Sequence, residues 1–209
     1  MKDLREGSPA RRGLILDAAQ DLFLSDGFTR TKMDDIAARS GVTKRTAYDY
    51  YGDKQGLFTA TLERVMERLD ASIHRALENN LVAVKDVEAS LVGFAREIVT
   101  SALGSSDYAT LTRLIAIASA DVPTAQVSWD AAEPEDLLAA RFAELHLRGL
   151  LVAPNPRRAA DHFVALTLSL SLPGSGLRRG ATLDSAQTDE MIRDGVSVFL
   201  RAYGSRRQE

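Results

Sequence analysis

The spacing of apolar residues most constrains the fold, because these residues recur at intervals of three and four along nearly the whole chain. Residues 11–26, for example, place Ile15, Ala19 and Phe23 on one face of a helix. Alternation of apolar and polar residues, the pattern of a half-buried strand, nowhere reaches a useful length. Gly27, Gly41 and the Pro-containing stretch at 152–156 separate the periodic segments. The sequence therefore predicts an all-α protein with nine to ten helices, three short ones first. Helical patterns cover residues 11–26, 33–40, 43–50, 54–79, 86–103, 107–120, 123–129, 134–149, 157–172 and 186–203.

Composition narrows the class of protein. Of the 209 residues, 45% are hydrophobic and 26% charged, as in ordinary globular proteins. The charged N-terminus lacks the apolar core of a signal peptide. The absence of cysteine excludes disulfides and thiolate zinc sites, and His74, His146 and His162 do not have metal-ligand spacing. We expect a cytoplasmic protein without cofactor, metal or membrane partner.

Charge is distributed unevenly. The net charge of −3 argues at first against nucleic acid as a partner. Residues 1–58, however, hold ten Lys or Arg against nine Asp or Glu, whereas residues 59–209 hold sixteen against twenty. Within residues 39–54 the balance is four basic to two acidic. Any DNA contact is therefore expected to be local and to lie in this N-terminal stretch.

The segment GVTKRTAYDYYGDK, residues 41–54, joins two short predicted helices by a tight turn. Gly41 can adopt a positive φ without strain, and Val42 can be buried under the turn. This is the arrangement of a helix-turn-helix, whose second helix lies in the DNA major groove. Ala47 and Tyr51, four residues apart, are predicted to face inward.

The outward face of this second helix carries groups suited to DNA. Arg45 can donate two hydrogen bonds to guanine, and Lys44 can reach a guanine edge or a phosphate. Tyr48 and Tyr50 offer a flat surface and a hydroxyl for a thymine methyl or a phosphate oxygen. Asp49 either accepts from a cytosine amino group or is simply solvated. Phosphate contacts are also expected near helix starts, at Thr31, Thr43, Thr46 and Lys54.

With these motifs in place, residues 11–58 resemble the DNA-binding domain of the tetracycline-repressor-like (TetR) family of bacterial transcriptional regulators. The residues that carry the resemblance are Gly27-Phe28, Ile36-Ala37, Gly41-Val42, Tyr48, Tyr51, Lys54 and Leu57-Phe58. The resemblance implies DNA contacts at the residues just named. It also implies two domains: residues 1–58 bind DNA, and residues 59–209 form a larger helical domain that dimerises and encloses a ligand pocket.

Within this larger domain, apolar residues at helical spacing have two interpretations, because such residues either line a pocket or form ordinary core. The predicted pocket residues are Met66, Phe94, Ile98, Trp129 and Phe142. The last two long helices are strongly apolar, which favours a dimer interface there. Its predicted residues are Phe163, Leu166, Leu170, Val196, Phe199, Leu200 and Tyr203.

These observations predict a homodimeric, ligand-responsive transcriptional regulator rather than an enzyme. The predicted activity is repression, relieved when a small hydrophobic effector releases the protein from a pseudo-palindromic double-stranded operator. Two alternatives stay open at this point: a DNA-binding dimer that senses no ligand, and a transcriptional activator. No catalytic residues are predicted, since the sequence contains no G-x-S-x-G, H-E-x-x-H or P-loop motif.

Overall fold

The computed structural model of the chain describes residues 9–121, 134–169 and 184–205. These residues form nine α-helices, and their one β feature is an isolated antiparallel bridge between Leu151 and Gly204. The all-α prediction is confirmed, whereas the short helix predicted at 123–129 lies outside the described residues. The helices are α1 (Pro9–Arg30), α2 (Met33–Ser40), α3 (Lys44–Tyr51), α4 (Lys54–Leu81), α5 (Val87–Glu97), α6 (Ser106–Asp121), α7 (Pro134–Leu147), α8 (Pro156–Thr167) and α9 (Ser185–Tyr203).

Several helix boundaries follow from local chemistry. Gly27 has φ 81° and ψ 168°, so it interrupts α1 at the stop predicted from the sequence. Asp86 and Asn155 accept hydrogen bonds from backbone N–H groups at the starts of α5 and α8. Asp184 and Gln187 form a reciprocal capping box at the start of α9. Beyond Glu97, α5 continues as a π-helical segment over Ile98–Leu103.

The described residues divide into two compact units, the first containing residues 9–68 and 106–121. Its core is built on Phe23, Phe28 and Phe58, with Phe58 packing edge-on at 5.0 and 5.4 Å from the other two rings. Two arginines of α4 form ion pairs with the neighbouring helices α1 and α6. Arg64 donates to Asp17 of α1 at 2.8 Å, and Arg68 pairs with Asp107 of α6 at 2.9 Å.

The second unit contains residues 69–105, 134–169 and 184–205. Its core holds an aromatic cluster of Phe94, Phe142, Phe163, Phe199 and Tyr203, with neighbouring ring centroids 4.7–6.0 Å apart. Burial of each phenylalanine contributes about 1.5–3 kcal/mol. The sequence predicts that residues 1–58 bind DNA and that residues 59–209 bind ligand and dimerise. This functional boundary stays a prediction.

Candidate nucleic-acid interface

The turn between α2 and α3 fixes the geometry of the helix-turn-helix. Gly41 adopts the left-handed conformation, with φ 70° and ψ 22°, as the sequence predicts. The next N–H group, of Val42, donates to the Ala37 carbonyl at 3.1 Å. The buried Ser40 hydroxyl donates to the Ile36 carbonyl at 2.7 Å. These bonds close the C-terminal end of α2 and direct the chain into α3.

The inward face of α3 packs against the core of the first unit and holds this helix in place. Thr43 caps the helix, because its hydroxyl oxygen accepts from the Thr46 N–H at 3.2 Å. Ala47 is fully buried in the core of the first unit. The half-buried Tyr51 donates its hydroxyl hydrogen to the Arg12 carbonyl at 3.3 Å, and burial raises the pKa of the Tyr51 phenol. This hydrogen bond joins the end of α3 to α1.

The outward face of α3 brings Lys44, Arg45 and Tyr48 together, as predicted. The side chains of Lys44 and Arg45 are 58% and 87% exposed, and Tyr48 is also exposed. Lys44 pairs with Asp34 of α2, with 2.7 Å between its ammonium nitrogen and the carboxylate. The hydrogen bond that the Lys44 ammonium donates to Asp34, together with the negative charge of that carboxylate, raises the pKa of Lys44.

Sequence reasoning missed the role of Asp34. Its side chain meets Lys44 across the turn, at a sequence separation of ten residues that no periodicity rule covers. The other acidic neighbour, Asp49, lies one helical turn after Arg45, and its carboxylate is 3.8 Å from the Arg45 guanidinium. Asp49 is thus a partner of Arg45 in the free protein.

The structure places two predicted phosphate ligands in internal roles. Thr31 is buried, and its hydroxyl donates to the carbonyls of Leu22 and Gly27. The Lys54 ammonium donates to the carbonyls of Phe28, Thr29 and Thr31 at 2.8–3.3 Å. Both side chains thus close the C-terminal end of α1. The phosphate contact predicted for the Thr31 side chain is corrected, because that side chain is buried. The contact predicted at the half-buried Lys54 stays a prediction, and its three internal hydrogen bonds argue against it.

Three further predicted DNA ligands lie around α3. The Thr43 and Thr46 hydroxyls are 2.8 Å apart at the start of the helix, where Thr43 is exposed. Tyr50 is half-buried and packs towards the core, with the Arg12 guanidinium 5.5 Å from its ring centre. Tyr50 thus lies on the inward side of α3 rather than beside Tyr48.

The predicted ligand-pocket residues do not form one group. Phe94, Ile98 and Phe142 are buried in the core of the second unit, whereas Met66 packs against the core of the first. Trp129 lies outside the described residues. For Phe94 and Phe142 the structure agrees with the ordinary-core interpretation that the sequence left open.

An open cavity of about 520 Å³ lies elsewhere in the second unit, beside the π-helical segment. Val99 and Ile192 form part of its apolar lining, and Arg96 and Asp189, which pair with each other, supply its charged edge. Sequence reasoning missed this cavity, since Arg96 and Asp189 are far apart in the chain. Its volume is in the range of small-molecule sites, roughly 300–1,000 Å³.

The predicted dimer residues also separate into two groups. Phe163, Val196 and Phe199 are fully buried within one chain, so these three side chains have no surface to offer a partner. That part of the prediction is corrected. Leu166, Leu200 and Tyr203 are half-buried and keep some exposed surface, and Leu170 lies outside the described residues.

The described residues contain neither a metal-binding cluster nor a membrane-spanning helix. No group of three or more His, Asp or Glu side chains there is arranged to hold a metal ion. None of the helices in the described part of the chain is long and apolar enough to cross a membrane.

Comparison with known families gives the helix-turn-helix its context. Residues 15–61 match the family model described as bacterial regulatory proteins of the tetR family. Residues 89–205, more than half of the chain, match the C-terminal domain of AefR-like transcriptional repressors. The chain belongs to the TetR family. TetR-family proteins are transcriptional regulators that carry an N-terminal helix-turn-helix and a helical C-terminal domain.

Individual helix-turn-helix transcriptional regulators resemble the chain at moderate identity. It is 37% identical over 67 residues to the transcriptional activator FasR of Mycolicibacterium smegmatis, covering 32% of this chain and 31% of FasR. It is 30% identical over 111 residues to the regulator AlkX of Mycobacterium tuberculosis, covering 53% of this chain and 50% of AlkX. The matched part of the chain thus spans 31% to 50% of the length of these curated relatives.

Two solved structures resemble almost the whole chain. The flavonoid-responsive regulator FrrA superposes with a TM-score of 0.73 at 26% identity, covering 95% of this chain and 100% of that one. A crystal structure from Mesorhizobium loti, assigned to the same family, gives a TM-score of 0.78 at 25% identity, covering 94% and 99%. The fold of the described residues is therefore that of TetR regulators.

Proposed function

We propose that this TetR-family chain is a dimeric, ligand-responsive repressor that binds a pseudo-palindromic operator through α3. The observation that carries the proposal is the exposed face of α3, where Lys44, Arg45 and Tyr48 lie on a helix held by a buried Ala47 and a left-handed Gly41. A guanidinium that is 87% exposed on such a helix suits bidentate donation to guanine in the major groove.

Binding to a pseudo-palindromic operator requires two copies of α3, which a dimer supplies. TetR-family regulators form dimers. In a two-fold symmetric dimer, two copies of α3 enter successive major grooves about 34–36 Å apart. The operator then mirrors the protein symmetry as two inverted half-sites. For this chain, the exposed parts of α8 and α9 are the proposed interface, with Leu166, Leu200 and Tyr203 reaching the partner.

Repression is favoured over activation by the match in the C-terminal domain, whose family model describes repressors. The activator FasR is similar over only 32% of this chain. Transcription in vitro distinguishes a repressor from an activator, using a promoter that overlaps an operator selected by the protein from a pool of random DNA sequences. We expect added protein to lower the amount of transcript; a rise would identify an activator.

The proposed effector is a small hydrophobic molecule bound in the second unit. FrrA responds to flavonoids, which makes flavonoids the first compounds to test. The cavity beside the π-helical segment offers about 520 Å³ with apolar walls and a charged edge. The 28-residue helix α4 contributes to both units and is about 42 Å long at 1.5 Å per residue. We propose that α4 transmits the effect of ligand binding to α3.

Ligand titrations with and without operator test this coupling. The effector must bind the DNA-free state more tightly, since equal affinity for both states shifts nothing. A typical coupling is about 1–3 kcal/mol, or roughly five- to 150-fold in affinity. By linkage, operator DNA should weaken effector binding by the same factor as the effector weakens operator binding. Equal effector affinities with and without DNA would leave a non-sensing regulator.

That non-sensing regulator is the second candidate function, and one observation favours it. Phe94 and Phe142, which the sequence suggests as pocket residues, are at most 2% exposed and belong to a packed aromatic core. If the second unit serves only dimerisation, flavonoids should change neither the melting temperature nor the operator affinity.

A further inference from the structure

The cations around α3 share an unexpected property: in the free protein each of three has a carboxylate partner. Arg39 donates to Asp21 at 2.7 Å, Lys44 to Asp34 at 2.7 Å, and the Arg45 guanidinium lies 3.8 Å from Asp49. All of these side chains are more than half exposed. The surface that the proposed function directs at an anionic polymer is therefore compensated in charge.

Only the Lys44–Asp34 pair of the three joins α3 to another helix. Arg39–Asp21 joins α2 to α1, and Arg45 and Asp49 are neighbours on α3 itself. The Lys44 ammonium also lies 5.9 Å from the centre of the Tyr48 ring, over its face. The carboxylate and the aromatic ring together hold the ammonium at one place on the outward surface.

This arrangement has a consequence for binding to random DNA. A phosphate that recruits Lys44 competes with the Asp34 carboxylate for the same ammonium, so part of its gain is offset by the weakened Lys44–Asp34 pair. The Asp34 charge is then left close to the anionic backbone, where it is repelled. Phosphate contacts supply essentially all of non-specific affinity, and base contacts supply the discrimination. A carboxylate at this position therefore weakens binding to random DNA more than binding to a site that also offers base contacts.

We propose that Asp34 is a specificity-determining residue, which withholds Lys44 from phosphates and so suppresses binding to non-operator DNA. This inference rests on the proposed DNA-binding function and deepens it, because it assigns a role to a residue of α2 that need not touch a base. The phosphates from which Asp34 withholds Lys44 are those of the backbone of double-stranded DNA.

The expected size of the effect follows from counterion release. Each phosphate neutralised on duplex DNA changes the slope of log K against log salt by about −0.9. Freeing one lysine per subunit should thus steepen the slope for random DNA by about 0.9 per bound subunit. At 0.1 M salt the same relation corresponds to a gain in non-specific affinity on the order of eightfold per subunit.

The test compares the full-length wild type with Asp34→Asn on two duplexes of equal length, one selected from a random pool by the wild type and one scrambled. Affinities are measured over a series of salt concentrations. We expect Asp34→Asn to bind the scrambled duplex several-fold more tightly with a steeper slope, to gain less on the selected duplex, and so to lose specificity. An unchanged affinity and slope on scrambled DNA would overturn the proposal.

Two control variants separate the pairing from a general effect of charge. Asp35→Asn removes the same charge from the neighbouring exposed position on α2 and should change the slope much less. In a Lys44→Ala background, Asp34→Asn should have a much smaller effect on scrambled DNA, because only the direct repulsion between Asp34 and the backbone is then relieved. Equal changes from Asp34→Asn and Asp35→Asn, or a full effect without Lys44, would contradict the assigned role. Failure of the proposed function is distinguishable, because the wild type would then show no preference for the selected duplex.

Discussion

The Lys54 ammonium joins the carbonyl oxygens of Phe28, Thr29 and Thr31, and it lies 4.4 Å from the centre of the Phe28 ring. These carbonyls stand where α1 ends and have no helical partner. The Lys54 side chain, at the start of α4, thus supplies hydrogen-bond donors to the carbonyl groups between α1 and α2. The helix-turn-helix is held in place by this contact.

Replacing Lys54 by methionine removes the donors and leaves the carbonyls without this partner. We expect Lys54→Met to lower the free energy of unfolding by about 1–3 kcal/mol, measured by urea denaturation. The salt dependence of DNA binding should stay at the wild-type slope, because the ammonium is bonded to carbonyls rather than to phosphates. Lys32→Met, the same change at an exposed lysine, should leave stability within about 0.5 kcal/mol. A shallower salt slope for Lys54→Met with full stability would instead identify a phosphate ligand.

The close packing of α8 and α9 depends on a glycine. A Cβ atom added at Gly195 of α9 would lie 2.3 Å from the Leu166 carbonyl oxygen of α8. That distance is far below any real carbon–oxygen contact, so a side chain at this position must push the two helices apart. Next to Gly195, Val196 is fully buried, so a displacement is transmitted directly to the core of the second unit.

Gly195→Ala should therefore destabilise the protein by about 1–3 kcal/mol, as overpacked cores do. The matched control is Gly13→Ala in α1, where an added Cβ meets nothing within 4 Å. There the substitution should raise stability by about 0.4–1 kcal/mol, because it restricts the unfolded chain. Thermal and urea unfolding of both variants measure the difference. Stabilisation by both would show that α8 and α9 tolerate a wider spacing than the structure has.

At the scale of the whole molecule, the proposed dimer must use side chains that the monomer leaves exposed. Val198 of α9 is 49% exposed, whereas its neighbour Phe199 is fully buried. We expect Val198→Glu to give monomers in sedimentation, because a dimer would have to bury an unpaired carboxylate. Monomers should bind the operator weakly, since half of the two-site contact is lost.

The control for this variant is Val82→Glu, the same substitution at a valine that is 46% exposed and follows the end of α4. It should remain dimeric. Monomers from Val82→Glu and dimers from Val198→Glu would place the interface away from α9.

The sequence predicts features that depend on residues close together in the chain better than features that depend on residues brought together by the fold. Helix type, the stop at Gly27, the turn at Gly41 and the cap at Thr43 are set by neighbouring residues, and the sequence predicts them correctly. The outward face of α3 follows from helical periodicity, so the sequence also predicts the exposure of Lys44, Arg45 and Tyr48. It does not predict the internal partners of Thr31 and Lys54, because these partners are carbonyls brought together by the fold. For Phe199, an apolar helix face gives the same pattern whether it packs inside one chain or against a second.

In the proposed function, the α3 helices of a symmetric dimer read a specific DNA sequence. The decisive experiment is the selection of duplexes from a random-sequence pool by the full-length protein, with Arg45→Ala selected in parallel. We expect the wild type to enrich inverted half-sites whose centres are about 34–36 Å apart. Arg45→Ala should lose base preference at one position of each half-site, a cost of about 1–3 kcal/mol on the wild-type sequence. No enrichment by the wild type, or identical motifs from both proteins, would show that α3 does not read the operator in this way.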